Sequence, residues 1–160
     1  MNYLAHAFLS RKDKDLQLGN FIADHIRGNQ LQHFPAAVQK GIIMHRAIDT
    51  YTDQHPVFRA SKRLFYEGFE KYSGVLVDIY FDHLLAKNFS NFSDEGLDSF
   101  SRNTYQLYHE ARPILPASST RFLDYVISNN IYQAYANQDG IQTVLKHLSH
   151  RLSHGINLQD

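Results

Sequence analysis

The segment VLVDIYFDHLLAKNF, residues 75–89, constrains the fold more than any other. Val75, Leu76, Val77, Ile79, Tyr80, Phe81, Leu84, Leu85 and Ala86 cover a helix almost all round, and such a helix belongs at the centre of a domain, wrapped by other helices. Elsewhere apolar residues recur at helical spacing, whereas alternating strand patterns bounded by Asn-Gly or Asp-Gly turns are hard to find. The chain is therefore expected to be all-α. No repeat, low-complexity tract or linker divides its 160 residues, about the size of one domain, so residues 1–160 should form a single compact multi-helix unit.

Start and stop signals divide the chain further. NYLAHAFLS is a short first helix, and LQLGNFIADHIRG a second, closed by Gly28. Pro35 opens a third, PAAVQKGIIMHRAIDTYTDQ, which should stop just before Pro56. A fourth runs from Pro56 to a break at Ser73-Gly74, and the apolar helix follows. Ser93 should cap the next, and Pro113 and Pro116 mark a break. Ser118 or Ser119 should cap TRFLDYVISNNIYQAYA, and a last helix begins near Asp139 or Gly140.

Composition excludes several roles. There is no cysteine, so any metal must be held by His, Asp, Glu or water. Lys plus Arg equals Asp plus Glu, 16 each, which removes the basic excess of a non-specific nucleic-acid binder. The N-terminus lacks a basic leader, a long apolar run and a small-residue cleavage site, and no stretch reaches the ~20 apolar residues of a membrane span. No membrane association and a cytoplasmic location are expected. Of ten histidines, His147, His150 and His154 line one face of the last helix. With no carboxylate beside them, and Lys146 and Arg151 nearby, they are expected to be polar groups on the exposed side of a terminal helix.

The informative anomaly is charge inside apolar helices. Asp78 and Asp82 sit at i and i+4 on the most apolar helix, where like charges repel and desolvation costs each several kcal/mol. A shared proton, an arginine, a helix N-terminus or a cation must compensate. His45 and Asp49 share a face in GIIMHRAIDTYTDQHP, as a ligand pair or a ligand with its orienting carboxylate. Asp53 continues that face and His55 stands at the helix exit. Asp24 and His6 interrupt two further apolar segments. Four such segments, if they converge, make a metal site; the bland competitor is a buried salt-bridge network with Arg27, Arg46 and Arg59.

Carboxylates with one or two imidazoles and no thiolate suit Mn²⁺, Mg²⁺ or Fe²⁺ better than a closed structural Zn²⁺. The usual chemistry is phosphoester hydrolysis, with the ion polarising a phosphoryl oxygen and activating water, a spare Asp or His as base, and an arginine against the phosphate. Arg46, Arg59, Lys62 and Arg63 are the nearest cations in sequence. FRASKRLF forms a local basic patch suited to an acidic partner surface, or simply a solubilising one.

MNYLAHAFLS, LGNFIADHIRG, GIIMHRAIDTYTDQHPVFRASK and YSGVLVDIYFDHLLAKNF together resemble the acyl carrier protein phosphodiesterases. The resemblance spans roughly the first 90 residues and is carried by H-R-x-I-D-x-Y-T-D-x-H-P and D-x-x-x-D-H; the C-terminal half is similar only in pattern. It implies an all-helical relative of the HD-type phosphohydrolases that uses Mn²⁺. It also implies hydrolysis of the phosphodiester joining 4′-phosphopantetheine to a serine of holo acyl carrier protein, an acidic protein partner. Matched by motif, His6, Asp24, His45, Asp49, Asp78 and Asp82 are expected around the metal, with Asp53, His55 and His83 as bases or supporting groups. Where the family carries tryptophan, this chain has Asn88-Phe89 and Asn130-Ile131. A nucleotide or other small phosphoester is the alternative substrate, and a non-catalytic helical binding module the alternative role.

Overall fold

The computed structural model describes residues 3–151, except the side chains of His150 and Arg151, and every regular element among them is helical. The first five helices are α1 (Tyr3–Leu9), α2 (Lys14–Ile22), α3 (Ala36–Gln54), α4 (Pro56–Phe69) and α5 (Ser73–Lys87). After them come α6 (Leu97–Glu110), α7 (Ala117–Ser128), the single turn α8 (Ile131–Ala134) and α9 (Gln138–Arg151). None is long and apolar enough to cross a membrane.

Pro35 and Pro56 act as expected, because a proline bars its predecessor from helical geometry. His55, at φ −67° and ψ 131°, ends α3 and caps α4. Other boundaries moved for local reasons. The second helix stops at Ile22 and tightens into a 3₁₀ turn, Ala23–His25, closed by Ile26 N–H on Ala23 O at 3.1 Å; Gly28 lies beyond it. The break foreseen at Ser73-Gly74 falls earlier, where Gly68 and Glu70 take positive φ (103° and 35°), and Ser73 starts α5. Ser93 makes a local turn, accepting Glu95 N–H, and Gly96 caps α6. Pro116 precedes α7, leaving Ser118 and Ser119 inside the helix, and Asn130 at φ 44° splits α8 from it.

The α2–α3 crossing depends on two glycines. A Cβ on Gly19 would strike the Val38 carbonyl oxygen and Gly41 Cα, and one on Gly41 would strike the Leu16 carbonyl oxygen and Gly19 Cα. With hydrogen at both positions the backbones touch, bringing α2 side chains within hydrogen-bonding reach of α3.

The described residues bury two apolar clusters, one of them at this crossing. Leu18, Ile22, Val38, Ile42, Tyr108 and Leu123 form one; Leu4, Ile79, Phe89, Phe100, Val126 and Tyr132 belong to the other. The helix expected to be wrapped all round is wrapped on one side: Leu76, Val77, Ile79 and Ala86 are buried, whereas Tyr80 and Leu84 face solvent. Phe89 and Ile131 are core residues.

Asp82 is fully buried, and its carboxylate accepts the backbone N–H groups of Leu4 (3.0 Å) and Ala5 (2.9 Å) in the first turn of α1. Of the four compensations open to a buried carboxylate here, the fold uses two, the N–H groups of a helix N-terminus and a proton that burial makes the group retain. Asp82 thus anchors the short helix that carries His6.

Candidate metal centre

His6 on α1 and His45 on α3 are buried, and their rings stack with centroids 4.0 Å apart and planes 16° from parallel. Asp49, one turn after His45, spans both: its Oδ1 lies 3.1 Å from His6 Nε2 and its Oδ2 3.2 Å from His45 Nε2. Asp24, from the 3₁₀ turn after α2, meets His45 Nε2 at 3.2 Å. Both carboxylates are about half exposed, so the imidazoles form a floor with an acidic, solvent-facing rim. One ligand atom each from His6, His45 and Asp49 lies within 4.8 Å of the others.

Asn20 decides how this floor is wired. Its Nδ2 donates to His6 O (3.0 Å) and Ser10 Oγ (2.9 Å), which turns its Oδ1 toward His45 Nδ1 at 2.8 Å. Since Oδ1 can only accept, His45 Nδ1 carries hydrogen and a neutral His45 presents an Nε2 lone pair. That lone pair faces two carboxylates. The arrangement is stable only with a positive species between them, a proton or a metal ion. Two imidazoles and a carboxylate with open positions are a usual donor set for a divalent transition ion.

Charge states follow the same geometry. Burial alone would lower the basicity of His45, but hydrogen bonds to Asp24 and Asp49 outweigh it and push its pKa up to about 9. Burial lowers that of His6 despite Asp49. The His45 hydrogen bond holds Asp24 below the usual carboxylate range. Burial opposes the charge on Asp49, but hydrogen bonds to both imidazoles overcome it and hold its pKa well down. Burial drives Asp82 up to about 8 against its two N–H donors.

The signs give a stability profile for chelated protein. Folded His45 keeps a proton that the unfolded chain releases near 6.5, so its contribution is complete below that value and lost as pH rises through about 9. Asp82 has the same sign, since an unfolded carboxyl ionises near 3.8 while the folded one holds its proton to about 8. Asp49 acts oppositely, its contribution being lost as acid protonates it. Thermal melts should therefore show a mildly acidic optimum and a falling Tm from pH 6 to 9, shallower in His45→Gln; a Tm flat over that range would contradict the assignment.

The family model for acyl carrier protein phosphodiesterase matches residues 1–160. The chain belongs to the acyl carrier protein phosphodiesterase family. The acyl carrier protein phosphodiesterases of Salmonella dublin, Salmonella agona (strain SL483) and Salmonella newport (strain SL254) are each 33% identical over 156 residues, covering 94% of this chain and 79% of theirs. No solved structure matches the chain.

The other residues expected at the site from the sequence are distributed unevenly. Asp78 is raised in pKa by burial, with Asp49 adding repulsion and His6 opposing it; it feels the centre from α5 without joining the compact group of ligand atoms. Asp82, expected beside the metal, is instead committed to α1 by both oxygens. Asp53 is exposed on α3, one turn beyond Asp49. His55 Nδ1 accepts Val57 N–H as the α4 cap. His83 Nδ1 donates to Tyr135 O (2.7 Å), and its ring lines a separate cavity of about 550 Å³ with Tyr80 and Lys87.

Arg46 is exposed beside His45, with Nη2 3.4 Å from Ile26 O. Arg59 and Arg63 are exposed on α4, and the Lys62 stem lies against Gly74. His147 packs its ring 5.2 Å from Tyr125; the His150 side chain and His154 lie outside the described residues. Asn20 and Ser10 were missed in the sequence, although Asn20, four residues before Asp24 in an apolar run, carries the signal that marked the others.

Proposed function

We propose that this protein hydrolyses the phosphodiester between 4′-phosphopantetheine and a serine of holo acyl carrier protein, releasing apo carrier and 4′-phosphopantetheine. Mn²⁺ is its preferred ion, with Mg²⁺ or Fe²⁺ as substitutes. What carries the metal reading is the His45 Nε2 lone pair, fixed by Asn20 and aimed at two carboxylates. What favours a carrier-borne ester over a free nucleotide is the depth of the site. Beneath His6 and His45 lies a void of only about 10 Å³, room for about one water. None of the cluster residues lines the cavities of about 720 and 550 Å³. A shallow acidic-rimmed floor suits an ester presented on a protein surface.

His6, His45 and Asp49 would hold the ion, which when bound supplies positive charge to the phosphoryl oxygens and acidifies water. Asp24, ionised and solvent-facing, accepts a proton from the attacking water, whose oxygen forms a new bond to phosphorus. The bond from phosphorus to the serine Oγ breaks, and that oxygen takes a proton to restore the serine. Arg46 steadies the phosphate, while Asp53 and His55 offer further proton acceptors at the α3 exit. Arg59, Lys62 and Arg63 make contacts with an acidic carrier. Residues 1–160 work as one cytoplasmic catalytic domain without a nucleic-acid partner.

Incubation of holo acyl carrier protein with the protein and Mn²⁺, followed by intact-mass spectrometry, should show loss of the prosthetic group and its recovery as 4′-phosphopantetheine. A carrier left intact with Mn²⁺, Mg²⁺ and Fe²⁺ alike would remove the substrate. A protein that retains none of these ions, and whose melting ignores chelator, would remove the metal.

A further inference from the structure

A cavity of about 720 Å³ opens at the α1–α2 corner, away from the metal cluster. Its volume falls within the range of small-molecule sites, which combine apolar walls with a few placed polar groups. Phe8, Phe100 and Leu107 form walls, and Leu9 and Phe92 expose 46% and 61% of their surface beside it. Three cations, Arg11, Lys12 and Lys14, line the same cavity, and none is ion-paired among the described residues. Glu95 is the acid among the described lining residues, and its Oε1 is occupied by Ser99 Oγ and Asn103 Nδ2, each at 2.8 Å.

Arg11 adds a second observation. Its φ of 54° is unfavourable for a side chain with a Cβ. The buried Gln17, which also lines the cavity, holds the turn by donating to Arg11 O at 2.6 Å. Strained backbone persists where its surroundings enforce it, and it collects at binding sites. Here the enforced turn keeps the three cations together beside an apolar hollow.

We propose that this cavity binds an anionic amphiphile, an alkyl chain with a carboxylate or phosphate head, at a site separate from the metal centre. Phe8, Phe100 and Leu107 take the chain, and Arg11, Lys12 and Lys14 take the head. An inorganic anion would forgo the walls and a neutral alkane would forgo the cations. The site does not depend on the phosphodiesterase reading.

The test is calorimetric titration of the full-length protein with decanoate, decyl phosphate, decanol and inorganic phosphate, all below micelle-forming concentrations. Decanoate or decyl phosphate should saturate a single site, the tighter of the two identifying the head group. Decanol should bind about tenfold more weakly or worse, the loss of a charge-assisted contact. Lys12→Glu combined with Lys14→Glu should weaken the anion about tenfold with Tm unchanged, both side chains being exposed. Phe92→Asp, also at an exposed position, should weaken it independently. Failure of both amphiphiles to saturate, equal binding of decanol, or undiminished binding by the charge-reversed protein would each overturn the site.

Discussion

Replacing His45 with alanine is expected to abolish release of 4′-phosphopantetheine while leaving a folded protein. His45 supplies the Nε2 on which Asp24 and Asp49 converge, and its removal takes away the ligand whose orientation Asn20 fixes. An ion's charge on a phosphoryl oxygen is worth several kcal/mol in a transition state, so turnover should fall ~10³-fold or more. The fold should survive because Asp24 and Asp49 are about half exposed and water can solvate what the imidazole leaves. Asn20→Ala should act more gently, weakening metal affinity by ~10–100-fold, as removing the group that orients a ligand does. Metal content, circular dichroism and carrier mass spectra read these three effects separately. Full turnover by His45→Ala, or Mn²⁺ retained by it at wild-type affinity, would refute the centre.

The helical character of the chain and the proline-set boundaries were readable because they are local: period 3.6 and the geometry before proline act within a few residues. The anomaly of charge in apolar segments was readable for the same reason, since burial of a helix face can be inferred from its own residues. The destination of each charge could not be read locally. Asp78 and Asp82 look alike on paper, yet Asp82 accepts the free N–H groups of the first turn of α1, which accommodate a buried carboxyl group. His83 follows Asp82 by one residue and therefore points about 100° round the helix, into the α9 side rather than toward His45.

Asn20 was passed over because an amide carries no charge and titrates nothing. Its importance arises from three partners distant in sequence, His6, Ser10 and His45. The same applies to Gly19 and Gly41: a glycine inside a helix reads as a small local loss of propensity, and its function appears only when the partner helix is in place.

That pair yields the largest expected effect on stability. Gly19→Val and Gly41→Val, made separately, each place a side chain where backbone already stands, against Val38 O and Gly41 Cα in the first case and Leu16 O and Gly19 Cα in the second. No rotamer escapes such a contact, because the colliding atom is the Cβ itself, so the helices must separate along their whole crossing. Overpacking a core with a flexible neighbour costs about 1–3 kcal/mol. A clash between backbones should cost ~4 kcal/mol or more, a large part of a small domain's stability. Part of the helix-propensity difference acts the other way, since glycine inside a helix is worth about 1 kcal/mol less than alanine, and it is too small to reverse the sign. Separation also draws Asn20 on α2 away from His45 on α3, so any protein that still folds should lose Mn²⁺ affinity along with Tm, although neither glycine touches the centre. Chemical denaturation with and without Mn²⁺ measures both. A Gly41→Val protein of unchanged stability would mean that the two helices do not cross through these glycines.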